Sequence, residues 1–208
     1  MAFIARYARD RRELSGRGGR DFCIKNGELQ CIVHAADRKV HLLTHQCTSE
    51  TKSFSADMIF RFLKPDEDNN RKNVAGFRLG NKVSYNDDRS AIITGKGIDA
   101  GITRSGHLFI GDVFSVIKIS ETILIDKIRL ALVITVQTTG AHFAKLKALD
   151  YSGNTVATIN TSKYGATDWE GNIAMLSHFY SSNENSHQPT ISVAKFIVKG
   201  DHLRYEPR

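Results

Sequence analysis

The carboxyl groups that could act on a bound substrate fall in turn-like segments: Asp66, Glu67 and Asp68; Asp87 and Asp88; Asp168 and Glu170. A β-sandwich glycosidase or lyase needs two carboxyls aimed at one bond, about 5 to 9.5 Å apart, commonly delivered from alternate positions on one strand. No strand-like run here offers Glu-x-Asp or Glu-x-x-x-Glu on one face, so these groups read as solvated turns and no catalytic residue is assigned. The oxygen-rich run 66–70 is the one candidate for calcium, without the spacing of an EF-hand loop. No cofactor is otherwise expected.

Metal and nucleophile chemistry fare no better. His41 and His45 would share a helical face, but the run Val40 to Leu43 reads as strand, where that spacing separates them by about 13 Å. Ser177 and His178 are adjacent in a strand-like run and point to opposite faces, so they do not form a nucleophile and base. Cys23, Cys31 and Cys47 contain no C-x-x-C pair and read as structural or incidental thiols. Export would allow a Cys23 to Cys31 bridge. Gly95-Lys96-Gly97, followed by Gly101, Gly106 and Gly111, lacks the G-x-x-x-x-G-K-[ST] pattern and a following helix. These glycines suit hairpin turns and close strand packing.

Binding is the chemistry left. Of Tyr85, Tyr151, Tyr164, Trp169 and Tyr180, most fall at turns or strand ends, where a sandwich presents a rim and an aromatic ring can stack on a sugar. Trp169, beside Asp168, suits a loop anchor equally well. The candidate ligand-binding residues are Arg78, Tyr85, Asp88, Arg89 and Trp169.

The elements that must position them are strands. Phe54, Ala56, Met58, Phe60 and Phe62 alternate with polar residues, as do Ile128, Leu130, Leu132, Ile134 and Val136. A period of two marks a half-buried antiparallel strand. Further runs of this kind are 29–33, 40–43, 74–79, 90–94, 108–110, 113–119, 142–149, 155–159, 172–179 and 191–198, separated by polar turns such as Ser105-Gly106 and Ser152-Gly153-Asn154. About a dozen short strands predict an all-β chain, an antiparallel two-sheet sandwich or barrel. One weak helical turn is expected near Ala5 to Leu14.

The 208 residues, 41% hydrophobic and 25% charged with 3 prolines, suit one globular domain. The most apolar stretch, Ile123 to Val136, is interrupted by Asp126, Lys127 and Arg129, so no membrane-spanning helix is expected. Of the net charge of +7, residues 1–20 hold +4, from six arginines against Asp10 and Glu13. That leaves +3 for residues 21–208, and specific nucleic-acid binding is not expected. A flexible basic arm (1–21), a sandwich domain (22–200) and a tail or linker start (201–208) are the expected divisions. Arg11-Arg12 precedes no apolar segment, so the chain is cytoplasmic unless a leader was removed, in which case it is exported.

Several strings are more specific. Ala75-Gly76-Phe77-Arg78-Leu79-Gly80, Asp88-Arg89-Ser90-Ala91, Gly95-Lys96-Gly97-Ile98-Asp99-Ala100-Gly101, Gly106-His107-Leu108-Phe109-Ile110-Gly111, Gly171 to Phe179 and the closing Phe196-Ile197-Val198-Lys199-Gly200 follow one another in order. Over residues 28 to 200 this succession resembles the accessory β-sandwich that precedes the catalytic domain in bacterial alkaline phosphatase D-like metallophosphatases. The resemblance implies a concanavalin-like or laminin-G-like jelly roll, a glycan ligand, and an adjacent metallophosphatase domain as partner. Gly111-Asp112 and Gly200-Asp201 stand without the Asp-x-His and Asn-His companions of a two-metal site, so no catalytic or metal-binding residue is carried over. The implied role is a non-catalytic, carbohydrate- or polymer-binding module. The rival readings are a jelly-roll glycoside hydrolase or lyase and a structural docking domain.

Overall fold

The computed structural model describes residues 22–33, 38–63, 73–81, 97–120, 123–124, 130–137, 143–179 and 188–204. Their elements, in chain order, are β1 (Phe22–Lys25), β2 (Glu28–Val33), β3 (Arg38–Cys47), β4 (Ser53–Phe62), β5 (Val74–Asn81), β6 (Ile98–Thr103), β7 (His107–Ile110), β8 (Val113–Lys118), β9 (Leu130–Gln137), β10 (Phe143–Leu149), β11 (Thr155–Thr161), α1 (Ala166–Trp169), β12 (Gly171–Phe179) and β13 (Gln188–Gly200). A seven-stranded sheet has the order β1-β2-β13-β4-β9-β10-β11, and a six-stranded sheet the order β3-β12-β5-β6-β7-β8. Every strand pair is antiparallel. This is the expected two-sheet sandwich.

The alternation in the sequence is what separates core from surface. Along β4, Phe54, Ala56, Met58, Phe60 and Phe62 are buried, and along β10 Ala144, Leu146 and Ala148 are buried between Lys145 and Lys147. Each large apolar side chain removed from water in this way contributes roughly 1.5–3 kcal/mol. The sheets meet through side chains such as Phe77 of β5 and Phe196 of β13, whose ring centroids lie 6.0 Å apart. Arg104 closes one end of the core, with its guanidinium carbon 5.2 Å from the Phe62 ring centroid.

Two strands were not anticipated. β1 pairs with β2 across Asn26-Gly27, both with positive φ (53° and 75°), the backbone of a two-residue hairpin for which Asn-Gly is the favoured pair. β6 turns Ile98, Ala100 and Ile102 to the core and keeps Asp99 and Gly101 on the other face. Its glycine and aspartate mask the apolar alternation. The weak helical turn near residues 5–14 and the strand at 90–94 lie outside the described residues.

After β13 the chain bonds back to the sandwich. The Asp201 carboxylate accepts the Ser53 N–H at 2.8 Å and the Lys52 N–H at 3.1 Å, while Gln46 and Arg204 exchange two backbone bonds of 2.8 and 2.9 Å. No helix among the described residues is long and apolar enough to cross a membrane.

Candidate functional site

The register of the six-stranded sheet sets three rows of residues on the face turned away from the core. β12, β5, β6 and β7 bring Leu176, Gly76, Gly101 and Phe109 into line. One step along the strands lie Ala174, Arg78 and Asp99; one step the other way lie His178, Val74 and Thr103. The intervening residues, among them Ala75, Phe77, Ala100 and Met175, belong to the main core, as the two-residue period of a strand requires.

The middle row is a trough. Gly76 and Gly101 present no side chain, and Leu176, Phe109 and Val74 form a small apolar cluster of their own around them. Phe109 continues outward to Phe114 of β8, with ring centroids 5.8 Å apart and an interplanar angle of 30°. The floor and Arg78 are closed to solvent, whereas Phe114 is 42% exposed. Arg78 runs along the upper row and donates from Nη1 to Asp99 Oδ1 at 2.8 Å. Gly97, at φ +105°, lies over this guanidinium: a Cβ there would sit 3.1 Å from Arg78 Nε. Rings beside a fixed charged pair can stack on a sugar face and bond its hydroxyls. Asp99 is the one carboxylate among the described residues of these rows, and it is engaged by Arg78.

Of the residues proposed from the sequence, Arg78 is in this trough. Tyr85, Asp88 and Arg89 lie outside the described residues, in the segment that joins β5 to β6, the strands carrying Arg78 and Asp99. Trp169 is fully buried (0% exposed) and packs edge to face on Tyr164, with centroids 5.5 Å apart. No face of its indole is open to a sugar in this conformation. The structure instead makes it an anchor for the segment before β12. Gly80, at φ +64°, has the α1 backbone against it, and a Cβ there would overlap the Asp168 carbonyl. Gly111, at φ +59°, is covered by the Tyr164 hydroxyl, which donates to Asp112 at 3.3 Å. Lys163 bonds the same Asp112 carboxylate and holds it below the usual carboxylate range. Tyr151 is exposed beyond β10, away from the trough; Tyr180 lies outside the described residues.

Sequence reasoning missed Asp99, Phe109, Phe114 and Leu176 as members of a site. The available signal was the paired glycines inside apolar strands, which mark a place where no side chain is tolerated. His41 and His45 both lie on β3, as their strand reading required. Burial lowers the His45 pKa below its usual 6.5 and pushes the buried Cys47 thiol up, which makes that thiol a poor nucleophile. Cys23 stands opposite Gln30 and Cys31 opposite Phe22, so the two are not cross-strand partners. Among the described residues no group of three or more His, Cys, Asp and Glu could hold a metal ion; the run 66–70 lies outside them.

No protein-family model and no curated protein matches the sequence. The fold does have relatives among solved structures. Lectin I-B4 from Griffonia simplicifolia, in its metal-free form, is similar with a TM-score of 0.61 at 12% identity, over 87% of this chain and 91% of that one. Lectin UEA-II complexed with galactose gives 0.56 at 12% identity, over 86% and 90%. The exoplasmic/lumenal domain of VIP36 in its Ca2+/Man-bound form gives 0.55 at 5% identity, over 89% and 82%. The chain therefore has the legume-lectin-like, concanavalin-type β-sandwich fold.

Proposed function

We propose that this chain is a carbohydrate-binding β-sandwich module that catalyses no reaction itself and accompanies a metal-dependent phosphatase or phosphodiesterase. The observation that carries the binding reading is the exposed Phe114 ring, packed against Phe109 on the sheet face that also carries the Arg78–Asp99 pair and the paired glycines. A sugar ring stacks on Phe114, and Arg78, with Tyr85, Asp88 and Arg89 from the adjoining segment, bonds its hydroxyls. Trp169 contributes by pinning the neighbouring backbone. Support also comes from the fold, since one similar structure is complexed with galactose and another is Ca2+/Man-bound. The phosphatase association rests on the ordered strings from Ala75 to Gly200. The test is a screen of soluble oligosaccharides by thermal midpoint and calorimetry. A sugar at a hundred times its Kd adds about 2.7 kcal/mol of stability, and Phe114→Ala weakens its binding about tenfold while leaving the unliganded midpoint unchanged. A screen in which no sugar moves the midpoint overturns the binding reading.

One further feature favours docking onto a neighbouring domain. On the edge strand β8, Val116 is 97% exposed and Ile117 60%, one on each face of the strand, an apolar edge whose protection by a co-expressed phosphatase domain would be read by hydrogen exchange.

A further inference from the structure

The outer face of the opposite sheet is basic. On its outer face the register of β13, β4, β9, β10 and β11 places Lys199, Ser55, Thr135, Lys145 and Asn160 in one line. The next line is Ile197, Asp57, Val133, Lys147 and Thr158, and Lys195 lies one step farther along β13. Every residue of the first line is exposed or half-exposed. With strands about 4.8 Å apart, that line runs about 19 Å and its two lysines stand about 14 Å apart with two hydroxyls between them.

The charges on this face are one-sided. Lys25, Lys145, Lys147, Lys195, Lys199 and Arg61 stand against Asp57 and Glu28, and Glu28 is already engaged by Arg61 at 3.3 Å and by the Ser192 hydroxyl at 2.5 Å. None of Lys145, Lys147, Lys195 and Lys199 forms an ion pair among the described residues. Six cations and two carboxylates leave +4 on this face. The edge strand β1 of this same sheet begins at Phe22, directly after the segment whose residues 1–20 hold a further +4.

We infer that this face binds a linear acidic polysaccharide laid across the strands, its carboxylates or sulfates on Lys199 and Lys145 and its hydroxyls on Ser55, Thr135 and Asn160. A line of alternating cations, hydroxyls and a carboxamide matches a polymer that carries both anions and hydroxyls along its length. Neither line holds an aromatic side chain on which nucleic-acid bases could stack, and the large exposed apolar residues among the described ones, Ile24, Phe114, Val116, Ile117 and Tyr151, all lie outside both lines, so neither line offers an exposed large apolar side chain to insert into a lipid surface. This inference rests on register and charge alone and stands apart from the reading of the trough.

The experiment titrates the full chain against labelled polygalacturonate and labelled heparin over a range of salt concentrations. Binding to at least one is expected, weakening steeply as salt rises. Lys145→Gln with Lys199→Gln raises Kd about tenfold and lowers the log–log salt slope by about two. Ser55→Ala with Thr135→Ala weakens binding without changing that slope. Lys118→Gln with Lys163→Gln, the same charge change elsewhere, leaves Kd within about twofold. The inference is overturned by no binding to either polymer, by an equal loss in the Lys118/Lys163 control, or by equally tight binding of double-stranded DNA or phosphatidylglycerol vesicles at the same salt.

Discussion

Gly76 and Gly101 meet backbone to backbone across β5 and β6: a Cβ on Gly76 would sit 2.5 Å from the Gly101 Cα, and one on Gly101 would sit 2.8 Å from the Gly76 Cα. Each would also overlap a carbonyl oxygen of the facing strand, Ala100 or Ala75. Atoms of the main chain cannot move aside as a side-chain tip can. Gly76→Ala and Gly101→Ala are each expected to destabilise the fold by about 3 kcal/mol, read as a shift of the urea midpoint with unchanged slope. A loss below about 1 kcal/mol at both positions would show that the strands separate easily, and the trough floor would not be rigid.

Arg78 and Asp99 form an ion pair largely withdrawn from solvent, with side chains 5% and 16% exposed. Removing one partner leaves the other charge poorly solvated, at a cost of about 3 kcal/mol. Arg78→Leu should therefore destabilise more than Arg78→Leu combined with Asp99→Asn, and a chemical denaturation series on the three proteins reads the difference. Equal stability of the single and double variants would mean that the pair serves no electrostatic role in the fold.

Trp169 is the single tryptophan of the chain, and its burial makes it a reporter. Native emission should be blue-shifted and poorly quenched by acrylamide. Gly111→Ala, which forces Tyr164 off its seat, should raise the quenching constant severalfold, while Tyr164→Phe, which keeps the ring against the indole, should change it little. Strong quenching in the native protein would contradict the anchor role.

His45 supplies a pH dependence whose sign follows from burial. Its folded pKa lies below 6.5, so the unfolded chain binds a proton more readily than the folded one. The stability it contributes is complete above pH about 6.5 and is lost as pH falls from there through the lowered folded value. Asp201, whose carboxyl is held below its usual range chiefly by the Ser53 N–H, acts in the same direction in a more acidic window, below pH about 4. The midpoint should thus fall in two stages on acidification, and His45→Gln should remove the first. Persistence of that stage in the variant would assign it to another group.

Strand content was legible because alternation is local: the polar residues between Phe54 and Phe62, or the lysines between Ala144 and Ala148, can face water only if the chain is extended. Asn26-Gly27 was equally local and could have revealed β1. Arg78 was legible as a binding candidate only from its place in a glycine-framed string, and Trp169 could not be judged at all, since a tryptophan at a strand end can face solvent or anchor a loop until its neighbours are known. The two surfaces are not local properties. The trough requires Leu176, Gly76, Gly101 and Phe109 to stand opposite one another, and the basic line requires the same of Lys199, Ser55, Thr135, Lys145 and Asn160. A shift of one residue in any pairing would move those side chains to the other face. The sequence determined that these segments are strands and which side of each is apolar. Which strands pair, in what register, and hence which distant residues share a surface was decided by the packing of the two sheets, because long-range pairing is selected by burying every apolar face at once.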